Sequence, residues 1–317
     1  MSLDASITPA LCTDKDGKDL PIDTITGTDK TAYLKINLEI APMGGQPAEP
    51  MTAVFVPDPK QLKTSDVPVL LWLHGDKTFW SRKRGGSKDR WGLTVRDYLK
   101  EVECTLREFL LKTSARKFLM VVPTLNDHTG RSSGPCENPG GLLWYQAQAE
   151  AYLKQVLNGV RKHLGISVSG PGNLVLAAHS GGGHLLGRMA QYFTGPFDRA
   201  NEVWCFDCTY WGGTPFKEWA KRGHSNPRLF VYSTGGKGPK QTGDFAWDIL
   251  QFSKTKQAAQ TNTDFAVLID NYPNAGKPSN TNFFVCDYGV SAHGHYESIE
   301  MYLQTLIDTS KNLDPKN

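Results

Sequence analysis

Ser180 is followed by three consecutive glycines, and this glycine-rich turn separates two stretches of different character. Residues 174–177 are apolar and β-prone, whereas residues 185–190 carry apolar side chains at helical spacing. A sharp turn between a strand and a helix is the sequence form of a nucleophile elbow, in which a serine hydroxyl projects from the end of the sheet. The alternative is a serine that only caps the helix.

Two physical features favour a nucleophilic role for Ser180. An elbow holds its serine in a strained backbone conformation, and Gly181 and Gly182 omit the Cβ atoms that would collide there. The following helix begins at the serine, and its dipole stabilises negative charge that develops at that end. Ala178 stands where the motif usually has its first glycine, which is a difference of one methyl group.

The composition is that of an ordinary globular protein. The chain has 317 residues, of which 39% are hydrophobic and 21% are charged. Its net charge of +3 is too small to indicate nucleic-acid binding. No apolar run approaches the roughly 20 residues that cross a bilayer, so we expect no membrane span. The N-terminal sequence lacks the basic and apolar regions of a signal peptide, which favours a cytoplasmic location.

The six cysteines do not follow the pattern of a disulfide scaffold. Cys205 and Cys208 have C-x-x-C spacing, but no second pair is present to complete a zinc site. We interpret both as small apolar residues near the end of a strand. The sequence therefore predicts neither a metal nor another cofactor, and it leaves the oligomeric state open.

Short apolar runs alternate with helical patterns along most of the chain. The predicted strands cover residues 31–40, 51–56, 67–73, 118–122, 173–177, 202–206, 228–232 and 282–286. The predicted helices cover residues 93–113, 142–163, 184–193, 245–257 and 298–307. Continuous apolar runs suit strands that are covered on both faces, as in a parallel sheet. We predict an α/β fold with a doubly wound, mostly parallel sheet of about eight strands and helices on both faces.

We expect one domain over residues 1–317, with residues 1–30 as an extension that is packed on the core or loosely ordered. With this order of elements, the chain resembles the α/β-hydrolase superfamily and its serine esterases and lipases, from about residue 31 to 310. Three motifs carry the resemblance: Leu73-His74-Gly75, then Ala178-His-Ser-Gly-Gly182, then a histidine pair after the last strand. Only residues 208–227 separate the sixth and seventh strands, where the family often has its lid, so we expect no large cap domain.

The resemblance implies a catalytic triad in the order serine, acid, histidine. His293 and His295 are both candidates for the base, and we favour His295 because it is the nearer of the two to the final helix. Asp207 and Asp244 are both candidates for the acid. We favour Asp207, at the end of an apolar strand, because a buried carboxylate needs a partner, whereas Asp244 suits the first turn of the helix after it.

Acyl transfer needs two N–H donors for the oxyanion of its tetrahedral intermediate. We expect Gly181 to supply one donor, and Asp76, or alternatively Lys77, to supply the other. His74, which precedes them, is interpreted as a structural residue that holds this turn.

Aromatic residues in the long loops, Trp80 and Trp211 among them, either line a substrate pocket or pack these loops onto the body of the protein. The basic side chains of residues 76–92 either attract an acidic substrate or are simply solvated. The whole pattern predicts a serine hydrolase that cleaves a small-molecule carboxylic ester. An amidase or peptidase with the same triad, and a non-catalytic binding relative, are the alternatives.

Overall fold

The computed structural model describes residues 8–14, 16–36, 51–62, 66–75, 95–97, 99, 104–113, 117–123, 146–195, 197, 200–209, 213–222, 228–233, 265–267, 283–287 and 294–313. Its strands are β1 (Ala10–Leu11), β2 (Lys30–Lys35), β3 (Met51–Val56), β4 (Asp66–Leu73), β5 (Leu119–Pro123), β6 (Gly170–His179), β7 (Ala200–Phe206), β8 (Arg228–Ser233), β9 (Phe265–Val267) and β10 (Phe283–Asp287). Its helices are α1 (Val95–Asp97), α2 (Cys104–Lys112), α3 (Gln146–Gly159), α4 (Gly183–Tyr192), α5 (Thr214–Lys221) and α6 (Gly294–Thr309), and a π-helical turn (Val160–Leu164) extends α3.

All of these strands belong to one sheet, in the order β1-β2-β3-β5-β4-β6-β7-β8-β10-β9. The pairs β1–β2, β2–β3 and β3–β5 are antiparallel, and all the other pairs are parallel. Apart from the short β1 and β9, the described part of the sheet has eight strands. This topology confirms the predicted doubly wound, mostly parallel sheet of the α/β-hydrolase fold.

Both faces of the sheet are covered, which explains the continuous apolar runs. In β4, Leu71 and Leu73 pack into one core together with α3, α4 and α5, whereas Leu70 and Trp72 pack into the other together with α2 and α6. Because successive side chains of a strand point to opposite faces, a strand between two cores needs apolar residues at every position.

Several elements differ from the sequence prediction. The helix predicted over residues 93–113 is described as α1 and α2, and α5 was not predicted at all. In α5, Phe216 and Trp219 bury one side of only two turns, which is too short for a clear periodic signal. Helix α6 begins at Gly294, earlier than the predicted residue 298, and the helix predicted over residues 245–257 lies outside the described residues.

A buried carboxylate, Glu202, organises the amino end of the sheet. Its Oε1 accepts hydrogen bonds from the Ser310 hydroxyl at 2.7 Å and from Asn312 Nδ2 at 2.8 Å. Its Oε2 accepts from Trp204 Nε1 at 3.1 Å and lies 3.4 Å from Arg228 Nη1. Donors on both oxygens compensate the cost of burying the charge.

Arg228 extends this network to the last helix. Its Nη1 also donates to the Leu306 carbonyl at 3.3 Å, and its Nη2 donates to the Thr309 hydroxyl at 2.7 Å. The C-terminal end of α6 is thereby tied to β7 and β8 by directional bonds as well as by apolar packing. Within the described ranges, no helix is long and apolar enough to cross a membrane.

Candidate active site

Ser180 lies on a tight turn between β6 and α4. His179 is still extended, with φ −117° and ψ 140°, and Ser180–Gly182 form a single 3₁₀ turn that leads directly into the helix. Ser180 has φ +50°, a conformation that is uncommon for a residue with a side chain. Such a conformation persists only where the surrounding structure imposes it, and it is concentrated at functional sites.

The glycines after Ser180 let the helix begin in contact with two neighbouring turns. A Cβ at Gly182 would overlap the carbonyl oxygen of Leu73 at the end of β4. A Cβ at Gly183 would overlap the carbonyl oxygen of Cys208, just after β7. Both obstacles are backbone atoms, so a larger residue at either position would have to displace a neighbouring strand end.

The turn after β4 passes directly beside Ser180. A Cβ on Gly75 would lie 2.9 Å from the Cβ of Ser180 and 3.5 Å from its Oγ. His74 is fully buried, and its Nδ1–H donates to the Gly75 carbonyl at 2.9 Å. This bond holds the turn in the way predicted for a structural His74.

Burial lowers the pKa of His74 to about 4, since desolvation disfavours the charged ring. The hydrogen bond to Gly75 opposes this effect, and the nearby His179 adds to it. His184, in the first turn of α4, also has a pKa lowered to about 4, by partial burial and by Arg188 one turn later. Both rings are therefore neutral at neutral pH.

Asp207 occupies the turn next to that of Ser180. His179 on β6 pairs in register with Phe206 on β7, so Ser180 and Asp207 leave the two strands at the same level. Asp207 has φ +45°, and it and Ser180 are the non-glycine residues with positive φ in the described part of the chain. Its side chain is buried, and its backbone N–H donates to the Tyr232 carbonyl on β8 at 2.9 Å.

The two cysteines beside Asp207 are free thiols buried in the core, as predicted for small apolar residues. Burial raises the pKa of the Cys208 thiol, and its contact with Cys205 and the charge of Asp207 act in the same direction. The thiol therefore stays protonated, and the contribution of Cys208 to this region is its backbone carbonyl against Gly183.

The described residues include only part of the predicted site. The structure describes Ser180, Gly181 and Asp207, and it describes the backbone of His295 as the second residue of α6. His295 thus lies inside the first turn of the last helix rather than in the loop before it. The other predicted site residues lie outside the described residues: Asp76, Lys77, Trp80, Trp211, Asp244 and His293.

Two features of this region were not predicted from the sequence: the positive φ of Asp207 and the contact between Gly183 and Cys208. The available signal for the first was the residue type, because aspartate tolerates left-handed conformations better than most residues do. The signal for the second was the third glycine of the run, which an elbow with two glycines does not require.

No family model matches this sequence, and no curated protein does either. Solved structures to which the chain is similar include an S-formylglutathione hydrolase from Agrobacterium tumefaciens, with 10% identity, a TM-score of 0.46, and coverage of 91% of this chain and 95% of that chain. A putative carboxylesterase from Lactobacillus plantarum has 9% identity and a TM-score of 0.43, with coverage of 89% and 98%. A glucuronoyl esterase from Solibacter usitatus has 10% identity and a TM-score of 0.40, with coverage of 94% and 97%.

Proposed function

We propose that this protein is a serine hydrolase that cleaves carboxylic esters of small molecules through an acyl-enzyme. The observation that carries the proposal is the conformation of Ser180, at positive φ on a tight turn between a parallel strand and a helix N-terminus. A strained backbone is expected at Ser180 if its hydroxyl must project away from the sheet in order to react.

In the proposed mechanism, the Ser180 hydroxyl attacks the ester carbonyl carbon while His295 removes its proton. The resulting oxyanion accepts hydrogen bonds from the backbone N–H groups of Gly181 and Asp76, with Lys77 as the alternative second donor. His295 then gives the proton to the leaving alkoxide, the alcohol departs, and an acyl group remains on Ser180. His295 then removes a proton from water, which attacks the acyl carbon, and returns that proton to Ser180 Oγ as the acyl–oxygen bond breaks and the acid leaves.

Asp207 is proposed as the group that orients His295 and stabilises its protonated form. Its turn lies one strand away from that of Ser180 and at the same level, and its carboxylate is buried. A buried carboxylate favours a positively charged neighbour, which an imidazolium provides during each proton transfer. Trp80 and Trp211 are proposed to line the substrate pocket.

A fluorophosphonate probe tests the proposal, because it reacts with activated serines in folded hydrolases. We expect stoichiometric labelling at Ser180 and hydrolysis of p-nitrophenyl acetate. Ser180→Ala should abolish both while its circular dichroism and thermal unfolding match those of the wild type. Absence of an adduct on the folded wild-type protein would support the non-catalytic alternative and would overturn the proposal.

A further inference from the structure

We infer that Gly183 is a positioning residue, which sets the distance between the nucleophile turn (residues 180–183) and the acid turn (residues 207–208) through its contact with the backbone of Cys208. This inference rests on the proposed function, in which Ser180 and Asp207 act through one histidine. It assigns a separate role to each glycine after Ser180, with Gly181 at the oxyanion, Gly182 against β4 and Gly183 against β7.

The contact joins the two turns close to the proposed nucleophile, Ser180, and the proposed acid, Asp207. Because His179 and Phe206 are in register, Ser180 and Asp207 emerge side by side from adjacent parallel strands. A Cβ at Gly183 would overlap the Cys208 carbonyl oxygen and would lie 2.7 Å from both the carbonyl carbon and the Cβ of Cys208. Three heavy atoms of one residue thus approach the Gly183 backbone more closely than any side chain would permit.

Each turn is held against the other by its contacts with neighbouring elements. On one side, the Gly183 N–H donates to the carbonyls of Ser180 and Gly181, so this glycine moves with the nucleophile. Gly182 is also in contact with the end of β4, which blocks movement of the helix away from β7.

On the other side, Cys208 is buried, and the backbone N–H of the preceding Asp207 is bonded to β8. A methyl group at Gly183 must therefore push the acid turn away from the nucleophile turn. In a catalytic constellation, a displacement of about 1 Å can reduce the rate on the order of 10²-fold.

Gly183→Ala tests the inference, and Gly187→Ala is its matched control. Gly187 is one turn further along α4, where a Cβ would lie 3.4 Å from Pro215, which is an ordinary contact. We expect Gly183→Ala to reduce kcat for p-nitrophenyl acetate about 100-fold, with KM unchanged within about twofold. Gly187→Ala should retain the wild-type kcat and KM.

The pH profile distinguishes positioning from loss of structure. A carboxylate next to the base stabilises its protonated form and raises its pKa. If Gly183→Ala moves Asp207 away, the acidic limb of kcat/KM shifts to lower pH, as it also does in Asp207→Asn. A variant that is merely less stable keeps the wild-type limb, and that result would overturn the inference.

A double-mutant cycle identifies the partner through which Gly183 acts. If it acts through Asp207, the double variant Gly183→Ala with Asp207→Asn has the same kcat as Asp207→Asn alone, within about twofold. If the two losses multiply instead, Gly183 acts on another group, and the inference is wrong.

If Gly183→Ala does not fold at ordinary temperature, the pH profile of kcat/KM is measured at low temperature, on the fraction of Gly183→Ala that is folded by circular dichroism, and should show the same shift of the acidic limb. A wild-type kcat and pH limb in folded Gly183→Ala would contradict the inference. The proposed function fails separately, since its failure appears as a wild-type protein without fluorophosphonate labelling, whereas failure of this inference leaves wild-type activity intact.

Discussion

Strand β7 has a buried carboxylate near each of its ends, and the two residues differ in backbone conformation. Glu202, near the amino end, lies in regular strand conformation and accepts hydrogen bonds from Ser310, Asn312 and Trp204 in addition to its ion pair with Arg228. Asp207, just past the carboxyl end, is in a left-handed conformation on a turn beside another strained residue. Glu202 is thus bonded to the segment that follows the last helix, whereas the turn at Asp207 has a strained backbone.

This difference suggests how the fold separates stability from chemistry. A directional network that joins β7, β8 and α6 resists unfolding, but it does not by itself create a reactive group. Strained turns destabilise the native state by roughly 1–3 kcal/mol each, and they persist because the rest of the sheet holds them. Loss of the proposed catalytic groups at the carboxyl end should therefore affect catalysis, and changes in the Glu202 network should affect stability alone.

The largest effect is expected at Asp207. Asp207→Asn should reduce kcat on the order of 10⁴-fold, because the amide neither stabilises the imidazolium nor holds the correct tautomer. This loss corresponds to roughly 5.5 kcal/mol of transition-state stabilisation. The competing candidate supplies the control, since Asp244→Asn should hydrolyse p-nitrophenyl acetate like the wild type. The reverse result would assign the acid to Asp244.

The next largest effect is expected for substitution of Glu202, and it should lower stability without lowering activity. Glu202→Gln leaves the buried Arg228 without its ion-pair partner and places an amide N–H₂ among hydrogen-bond donors, so unfolding free energy should fall by about 3–5 kcal/mol. Urea unfolding measures this loss. The exposed Glu300 on α6 provides the control, because Glu300→Gln should change stability by less than about 0.5 kcal/mol.

Activity measurements complete the Glu202 test. At a temperature where Glu202→Gln is fully folded, its kcat should stay within about twofold of the wild-type value. If kcat instead falls as strongly as in Asp207→Asn, the amino end also serves catalysis, and the proposed division between the two ends of β7 is wrong.

The sequence predicts features that arise from neighbouring residues better than it predicts contacts between distant ones. The Ser180 turn is predictable because its signal is local: an apolar run, a serine and three glycines stand together in the chain. The sheet is predictable because two buried faces require continuous apolar strands. Both patterns arise from neighbours in sequence.

The Glu202 network and the Gly183–Cys208 contact were not predicted, because both depend on residues that meet only after folding. In the sequence, Glu202 is a polar residue within an apolar run. Its partners Ser310 and Asn312 follow the last helix, far away along the chain. The contact at Gly183 depends on the register of β6 against β7, which sequence periodicity does not specify.

A smaller loss of stability is expected when the pH is lowered, and it arises from His74 at the carboxyl end of β4. The pKa of His74 is about 4 in the native state and 6.5 in the reference state, so the unfolded chain binds more protons between these values. The stabilisation that this neutral ring provides is complete above pH 6.5 and is lost as the pH falls towards 4. At about 1.4 kcal/mol per pH unit, the loss amounts to roughly 3 kcal/mol.

Urea unfolding of the wild type and of His74→Asn, at pH 7 and at pH 4, measures this contribution. Asparagine keeps an N–H donor for the Gly75 carbonyl but does not titrate, so the variant should lose less stability on acidification. His184 also has a lowered pKa, and the comparison cancels its contribution because it is present in both proteins. Equal acid losses in the two proteins would contradict the prediction.

The smallest effect tests whether the Ser180 turn is strained. A residue with a side chain costs roughly 1–2 kcal/mol in a left-handed conformation, whereas glycine adopts it without this penalty. Ser180→Gly should therefore raise the free energy of unfolding by about 1 kcal/mol, or the Tm by about 2 °C, relative to Ser180→Ala. Both variants lack the hydroxyl and should be equally inactive, and the relief of strain at φ +50° should exceed the entropy that glycine adds to the unfolded chain. If Ser180→Gly is no more stable than Ser180→Ala, the Ser180 turn stores no strain that glycine relieves, and the proposed contrast with the Glu202 network loses this support.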